Sequence, residues 1–207
     1  MLKKEDLRLY LCTDRLLSMG RPITEAVEQA LAGGVTMVQV REKDASTREF
    51  YEVALKIQKL TRKYHVPLVV NDRIDIALAI GAEGLHLGQT DMPLGVARRL
   101  VGKEMFIGIS ASTVEEAAEA ARGGADYLGV GAVFYTGSKE ITGTIGLEGL
   151  RAVCGAVEIP TVAIGGVSAQ NTREILAAGA DGIAVISAIL SQPDIKRAAA
   201  ALSGLTR

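Results

Sequence analysis

The chain has 207 residues, 48% of them hydrophobic and 23% charged, with a formal net charge of -1. That composition suits a folded domain with a sizeable core and excludes a disordered chain, while the near-neutral charge excludes a nucleic-acid partner held by bulk electrostatics. No apolar run approaches the ~20 residues of a membrane-spanning helix.

Short β-branched runs alternate with longer amphipathic stretches along the whole chain. Strands are expected at 8–13, 37–41, 68–72, 84–87, 106–110, 127–131, 161–165 and 182–186. Helices are expected at 24–31, 47–64, 74–80, 95–100, 114–121, 147–156, 171–178 and 193–202. Ser46 or Thr47 can cap the second helix, and Thr113 followed by Glu115 and Glu116 suits the start of the fifth.

A recurrent connector joins helix to strand: Ala32-Gly33-Gly34, Ile80-Gly81-Ala82-Glu83-Gly84, Arg122-Gly123-Gly124-Ala125-Asp126 and Ala178-Gly179-Ala180-Asp181-Gly182. Glycine there supplies the helix cap, and small residues allow a short return to the sheet. Eight strand–helix units with short returns predict a single (β/α)8 TIM barrel over 1–207, smaller than the ~250 residues typical of the fold. An open doubly wound sheet is the second choice. The start of the chain, Met1-Leu2-Lys3-Lys4-Glu5-Asp6, lacks the apolar segment of a signal peptide, so a cytoplasmic enzyme is expected. Cys12 and Cys154 make neither a disulfide framework nor a metal-ligand spacing.

In such a barrel the chemistry lies at the strand C-termini, in the loops that follow. Alternation along the second strand sets Gln39, Arg41 and Lys43 on one face and Val38 and Val40 on the other. Cations at the mouth call for an anion, because burying them unpaired is costly. Asn71 and Asp72 end the third strand, Asp91 follows the fourth and Ser110 ends the fifth. Two aspartates beside phosphate-seeking cations offer hard oxygen ligands for a divalent metal. Taken singly, Asp72 can instead cap a helix before Ile74, and Asp91 one before Pro93.

A second anion site is expected from Gly165-Gly166 and Ile186-Ser187, since the loops after strands seven and eight often bind phosphate through backbone N–H groups. The alternative is a tight turn before a helix capped by Ser168. The loop from Phe134 to Ile145 reads as a lid, in which Thr136 and Ser138 can donate to phosphate oxygens and Lys139 can neutralise charge; a plain flexible loop is the alternative. His86, on the fourth strand, reads as a packed, hydrogen-bonded histidine, and His65 as a cap or solvent-facing group. Hydrolase elbows and a dinucleotide fingerprint are absent.

The segments Gln39-Val40-Arg41-Glu42-Lys43, Val70-Asn71-Asp72-Arg73, His86-Leu87-Gly88-Gln89-Thr90-Asp91-Met92-Pro93 and Ile107-Gly108-Ile109-Ser110 closely resemble the thiamine-phosphate synthase family. The resemblance continues through Gly129-Val130-Gly131, the lid, Ala163-Ile164-Gly165-Gly166 and Val185-Ile186-Ser187. It implies a (β/α)8 barrel that condenses hydroxymethylpyrimidine diphosphate with a thiazole phosphate, or its carboxylated tautomer, to give thiamine phosphate and diphosphate. Gln39, Val40, Arg41, Glu42, Lys43, Asn71, Ser110 and Lys139 would meet the pyrimidine diphosphate, with Arg41, Lys139 and Ser110 in the catalytic set. Asp72 and Asp91 would hold Mg2+; Thr136, Gly137, Ser138, Gly166, Ile186 and Ser187 would hold the thiazole phosphate. The resemblance also implies a homodimer and a dissociative step through a pyrimidine cation. Four lid positions depart from the family: Tyr135 stands where proline is usual, Ser138 replaces a threonine, and Glu140 and Ile141 follow the lysine in place of a basic or polar group.

Rivals are a thiazole tautomerase-like isomerase, a phosphosugar epimerase and a non-catalytic binder of thiazole or thiamine phosphate. Isomerisation needs none of the charge carried by Arg41, Asp72, Asp91 and Lys139, and an epimerase should present an acid–base pair.

Overall fold

In the computed structural model, which describes residues 2–136 and 143–206, eight parallel strands close into a barrel in chain order. They are β1 Leu9–Cys12, β2 Met37–Val40, β3 Leu68–Asn71, β4 Gly84–Leu87, β5 Phe106–Ala111, β6 Tyr127–Val130, β7 Thr161–Ile164 and β8 Gly182–Val185. Helices follow as α1 Ile23–Ala32, α2 Thr47–Lys63, α3 Ile74–Ile80, α4 Leu94–Val101, α5 Val114–Arg122, α6 Gly146–Gly155, α7 Thr172–Ala177, α8 Ser187–Leu190 and α9 Ile195–Leu205. The expected TIM barrel is the fold, and the strands keep their expected places to within a residue at each end.

Strand alternation sorts the apolar residues into two cores. Leu9, Leu11, Val38, Val40, Leu68, Val70, Leu85 and Leu87 point outward and pack under the helices. Tyr10, Met37, Val69, Phe106, Tyr127 and Val162 point inward and fill the barrel. Two of the three inward rings, Tyr127 and Phe106, fit because a glycine faces each across the register. A Cβ on Gly108, paired with Tyr127, would sit 2.0 Å from the tyrosine ring, and one on Gly84, paired with Phe106, 2.2 Å from the phenylalanine. Overpacking at either place costs about 1–3 kcal/mol or more.

The recurrent connectors do more than cap helices. The residue just before each even-numbered strand turns its side chain back to accept a backbone N–H at the start of the preceding odd strand. Thr36 Oγ1 takes Leu9 N at 2.9 Å, and Glu83 Oε2 takes Leu68 N at 3.0 Å. Asp126 Oδ2 takes Ile107 N at 2.7 Å, and Asp181 Oδ2 takes Thr161 N at 2.8 Å. Four equivalent contacts thus satisfy strand-end donors at the barrel's N-terminal face, where an unpaired buried N–H would be costly.

Helix starts follow local sequence. Ser46 accepts from Glu49 N and closes a capping box at α2, and Thr113 does the same with Glu116 at α5. The helix expected at 193–202 is α9, and a short α8, not expected, precedes it after β8. Ser191-Gln192-Pro193 parts them, because proline cannot continue α8, and Asp194 then caps α9 by accepting from Arg197 N. Short 3-10 turns at Lys4–Leu7 and Leu16–Ser18 were not expected; they are too brief for periodicity to reveal. Among the described residues no helix is long and apolar enough to cross a membrane.

Candidate active site

The strand C-termini bring the predicted mouth residues together. Asn71 pairs in register with His86, and the ladder carries on through Asp72 N, which donates to His86 O at 2.9 Å. Asp72 adopts a left-handed backbone with φ 61°, a conformation Asp and Asn tolerate better than most residues. A cavity of about 380 Å³ opens here, lined by Glu42, Lys43, Asp44, Asn71, Asp72 and Arg73. A groove of about 410 Å³ lies at the opposite face among Lys3, Asp6, Arg62, His65, Glu83 and Glu104, far from the strand C-termini where the mouth residues converge.

Neither aspartate caps a helix. The N-cap residues of α3 and α4 are Arg73 and Pro93, and neither end has a side-chain cap bond. Asp91 Oδ2 instead accepts from Gly88 N at 2.7 Å, which fixes it over the end of β4. Its carboxyl acts on that of Asp72, at the end of the neighbouring strand. Burial, and then the hydrogen bond and repulsion from Asp91, push the Asp72 carboxyl up to about 6, against the pull of Arg41 and Lys43. Two carboxylates forced together without enough counter-charge fit a hard divalent cation, which keeps several waters and takes one or two carboxylates plus substrate phosphates. The described residues hold no group of three or more His, Cys, Asp or Glu ligands, so the remaining oxygens would come from substrate and water.

Arg41 departs from expectation. It was expected to await an anionic ligand, yet its Nη1 already meets Asp14 Oδ2 at 3.2 Å, with both side chains only 15% exposed. Its main-chain N–H donates to Thr13 Oγ1 at 2.9 Å, so the loop after β1 positions it. Sequence reasoning missed Asp14, although its place just past the end of β1 is where barrel chemistry gathers. Glu42 Oε2 pairs with Arg15 at 3.1 Å, while its buried Oε1 has no hydrogen-bond partner among the described residues. Val40 faces the outer core at 0% exposure, so its side chain takes no part in the mouth.

Gln39 points inward at 4% exposure, and its Nε2 donates to Tyr10 Oη at 2.7 Å. His86 is the packed histidine expected, with Nδ1 2.9 Å from Tyr127 Oη and Nε2 3.0 Å from Ser110 Oγ. Gln89 Nε2 donates to Ser110 O at 2.6 Å and ties the β4 loop to the end of β5.

The second group of predicted residues also converges. Val133 N donates to Ile164 O at 2.9 Å and Phe134 N to Gly165 O at 3.0 Å, which lays the outgoing lid stem along the end of β7. The returning stem is held by Ile145 N on Ala132 O at 2.9 Å and Gly146 N on Val133 O at 3.0 Å. Gly165 and Gly166 have φ of 94° and 65°, conformations that favour glycine. Ser168 does not cap α7; the N-cap there is Asn171, whose Oδ1 accepts from Ser168 N. Ile186 and Ser187 stand at the start of α8. Thr136 ends the described outgoing stem, whereas Gly137, Ser138, Lys139, Glu140 and Ile141 lie outside the described residues.

A closed parallel (β/α)8 barrel with an acidic pair, an arginine and a lysine gathered at the C-terminal mouth defines the class. Residues 9–189 match the family model described as thiamine monophosphate synthase. A thiamine-phosphate synthase of Clostridium novyi is 54% identical over 199 residues, covering 96% of this chain and 98% of the relative. The solved structure of a thiamine phosphate pyrophosphorylase from Pyrococcus furiosus superposes with a TM-score of 0.91 at 46% identity, covering 98% of this chain and 96% of that one. An N-acetylmannosamine-6-phosphate 2-epimerase from Clostridium perfringens, at 15% identity and TM-score 0.68 over 90% of each chain, shares the fold alone. The chain belongs to the thiamine-phosphate synthase family, transferases of thiamine biosynthesis.

Proposed function

We propose that this barrel joins hydroxymethylpyrimidine diphosphate to a thiazole phosphate, or its carboxylated tautomer, releasing diphosphate and forming thiamine phosphate. The observation that carries this reading is the convergence of Lys43, Asn71 and Asp72 on one cavity at the mouth, with Asp91 fixed over the end of β4 and Arg41 positioned from the end of β2. Asp72 and Asp91 would hold Mg2+, which when bound neutralises charge on the departing diphosphate. Arg41, set by Asp14 and Thr13, and Lys43 grip the same anion from β2 and its loop. Gln39, Asn71 and Ser110 orient the pyrimidine. The lid stem, Gly166, Ile186 and Ser187 seat the thiazole phosphate.

Diphosphate leaves with the bonding electrons, and electron donation from the aminopyrimidine supports the methylene cation that remains. The thiazole nitrogen then attacks that carbon. This nucleophile carries no proton to remove, so the reaction calls for no general base. Contact between the two bound substrates supplies much of the remaining acceleration. We further propose that the protein acts in the cytoplasm, as one catalytic domain per chain and as a homodimer.

The direct test is incubation with both substrates and Mg2+, measuring diphosphate and thiamine phosphate together; equimolar release is expected, and diphosphate without thiamine phosphate would overturn the reading. Lys139 is proposed to act on charge that develops as the bond breaks. Lys139→Ala should lower the single-turnover rate about 10²- to 10³-fold, more than it lowers substrate affinity. An unchanged single-turnover rate would reduce the lysine to a solvated loop residue. Lys139→Arg should recover little, since a planar fork does not reproduce a compact ammonium.

A further inference from the structure

Below the mouth, five side chains form one continuous hydrogen-bonded chain across the barrel. Gln39 Nε2 donates to Tyr10 Oη at 2.7 Å, and Tyr10 Oη meets Tyr127 Oη at 2.9 Å. Tyr127 Oη meets His86 Nδ1 at 2.9 Å, and His86 Nε2 meets Ser110 Oγ at 3.0 Å. Tyr10, Tyr127, Gln39 and His86 are 1%, 0%, 4% and 8% exposed, so water does not replace these partners.

The two ends of the chain are residues proposed to touch the pyrimidine, while the three middle ones are not. A hydroxyl has one hydrogen, and a neutral imidazole has one N–H. Burial pushes both phenols well above their ordinary range, so each keeps that hydrogen. Tyr10 accepts from Gln39, and the one acceptor beside it for its own hydrogen in this chain is Tyr127, which sets the sense in which every donor is used. Tyr127 then donates to His86 Nδ1, which leaves the ring proton on Nε2 for Ser110 Oγ. The Ser110 hydrogen is left for a group above it, and the Gln39 amide, held by one N–H on Tyr10, presents its carbonyl oxygen at a fixed place beside its second N–H.

We propose that Tyr10, Tyr127 and His86 are positioning residues whose one-way hydrogen-bond chain sets Gln39 as an acceptor and Ser110 as a donor toward the pyrimidine substrate. This rests on the functional reading above and deepens it. An aminopyrimidine offers the complementary pair, an N–H2 to give and ring nitrogens to receive. A site whose polar groups are locked in one sense rejects an isostere with donor and acceptor exchanged, because buried groups would be left unpaired.

Two measurements test it. The chain has two histidines, so nitrogen-detected side-chain NMR of the free protein can be assigned with His65→Gln as reference. His86 should appear at neutral pH as the Nε2–H tautomer; an Nδ1–H tautomer or an imidazolium overturns the proposal. In the second, Tyr127→Phe keeps the ring and removes the link. Its kcat/KM for pyrimidine diphosphate should fall about tenfold or more, with the KM for thiazole phosphate within twofold of the parent. Equal loss toward both substrates, or none toward either, overturns the positioning role. If Tyr127→Phe folds poorly, Tyr10→Phe breaks the chain one link away and should show the same substrate selectivity. Failure of the parent protein to turn over would instead defeat the functional reading, and leave the tautomer measurement standing.

Discussion

Asp72→Asn is expected to lower the proposed Mg2+-supported turnover about 10²- to 10³-fold while leaving the fold intact. Asparagine tolerates the left-handed backbone at φ 61°, so the change removes charge without straining the chain. In metal-free protein the effect on stability has the opposite sign. Burial and Asp91 raise the Asp72 carboxyl to about 6, above the ~3.9 of an unfolded aspartate. The folded state therefore holds a proton that the unfolded chain has lost, and stability falls as pH rises through about 6. Asp72→Asn should be the more stable protein at pH ~7.5 in chelator and no more stable at pH ~4, read from thermal melts. Apparent Mg2+ affinity of the parent should weaken below pH 6 for the same reason, since the cation must then displace the proton. Full turnover of the parent in excess chelator, with metal removal verified, would defeat the assignment.

Gly166→Val should be nearly as damaging, through a route the sequence did not reveal. The sequence sets Gly166 among backbone N–H groups expected to meet a phosphate, whose approach a side chain would obstruct. In the structure, a Cβ there lies first 2.6 Å from Phe134 Cβ and 2.7 Å from Tyr135 O, both in the outgoing lid stem. The φ of 65° adds strain for a β-branched residue. Together, strain and overlap should cost about 2–4 kcal/mol and displace the stem from β7. Turnover should fall by about 10²-fold or more, with the KM for thiazole phosphate rising much more than that for pyrimidine diphosphate. Calorimetry with each substrate alone reads the division directly. The opposite selectivity would mean that the two substrate sites are interchanged.

The barrel is legible in the sequence because a period of two and a period near 3.6 alternate eight times, with a glycine connector recurring between them. Asp72 and Asp91 are legible as a pair because the fold rule places strand ends at one face. Less was legible where one residue type serves two purposes. A tyrosine in a strand reads as ordinary β-propensity, so nothing marked Tyr10 and Tyr127 as hydrogen-bond partners across 117 positions. Tyr127 in register with a glycine was the available clue, since a glycine inside a strand signals close approach. Asp14 was hidden for a similar reason: an aspartate after a strand is commonplace in turns, and its pairing with Arg41 is a property of closure. The brief α8 carries too few residues to show a period.

The side-chain contacts at the N-terminal face group the strands in twos. Thr36, Glu83, Asp126 and Asp181 each bind within the pairs β1–β2, β3–β4, β5–β6 and β7–β8. The barrel can therefore be described as four β-α-β-α modules, each locked by a bond of its own, standing side by side. A circularly permuted chain opened between α2 and β3 keeps every lock inside a contiguous piece, whereas one opened between β1 and β2 leaves Leu9 and Thr36 at opposite ends of the polypeptide.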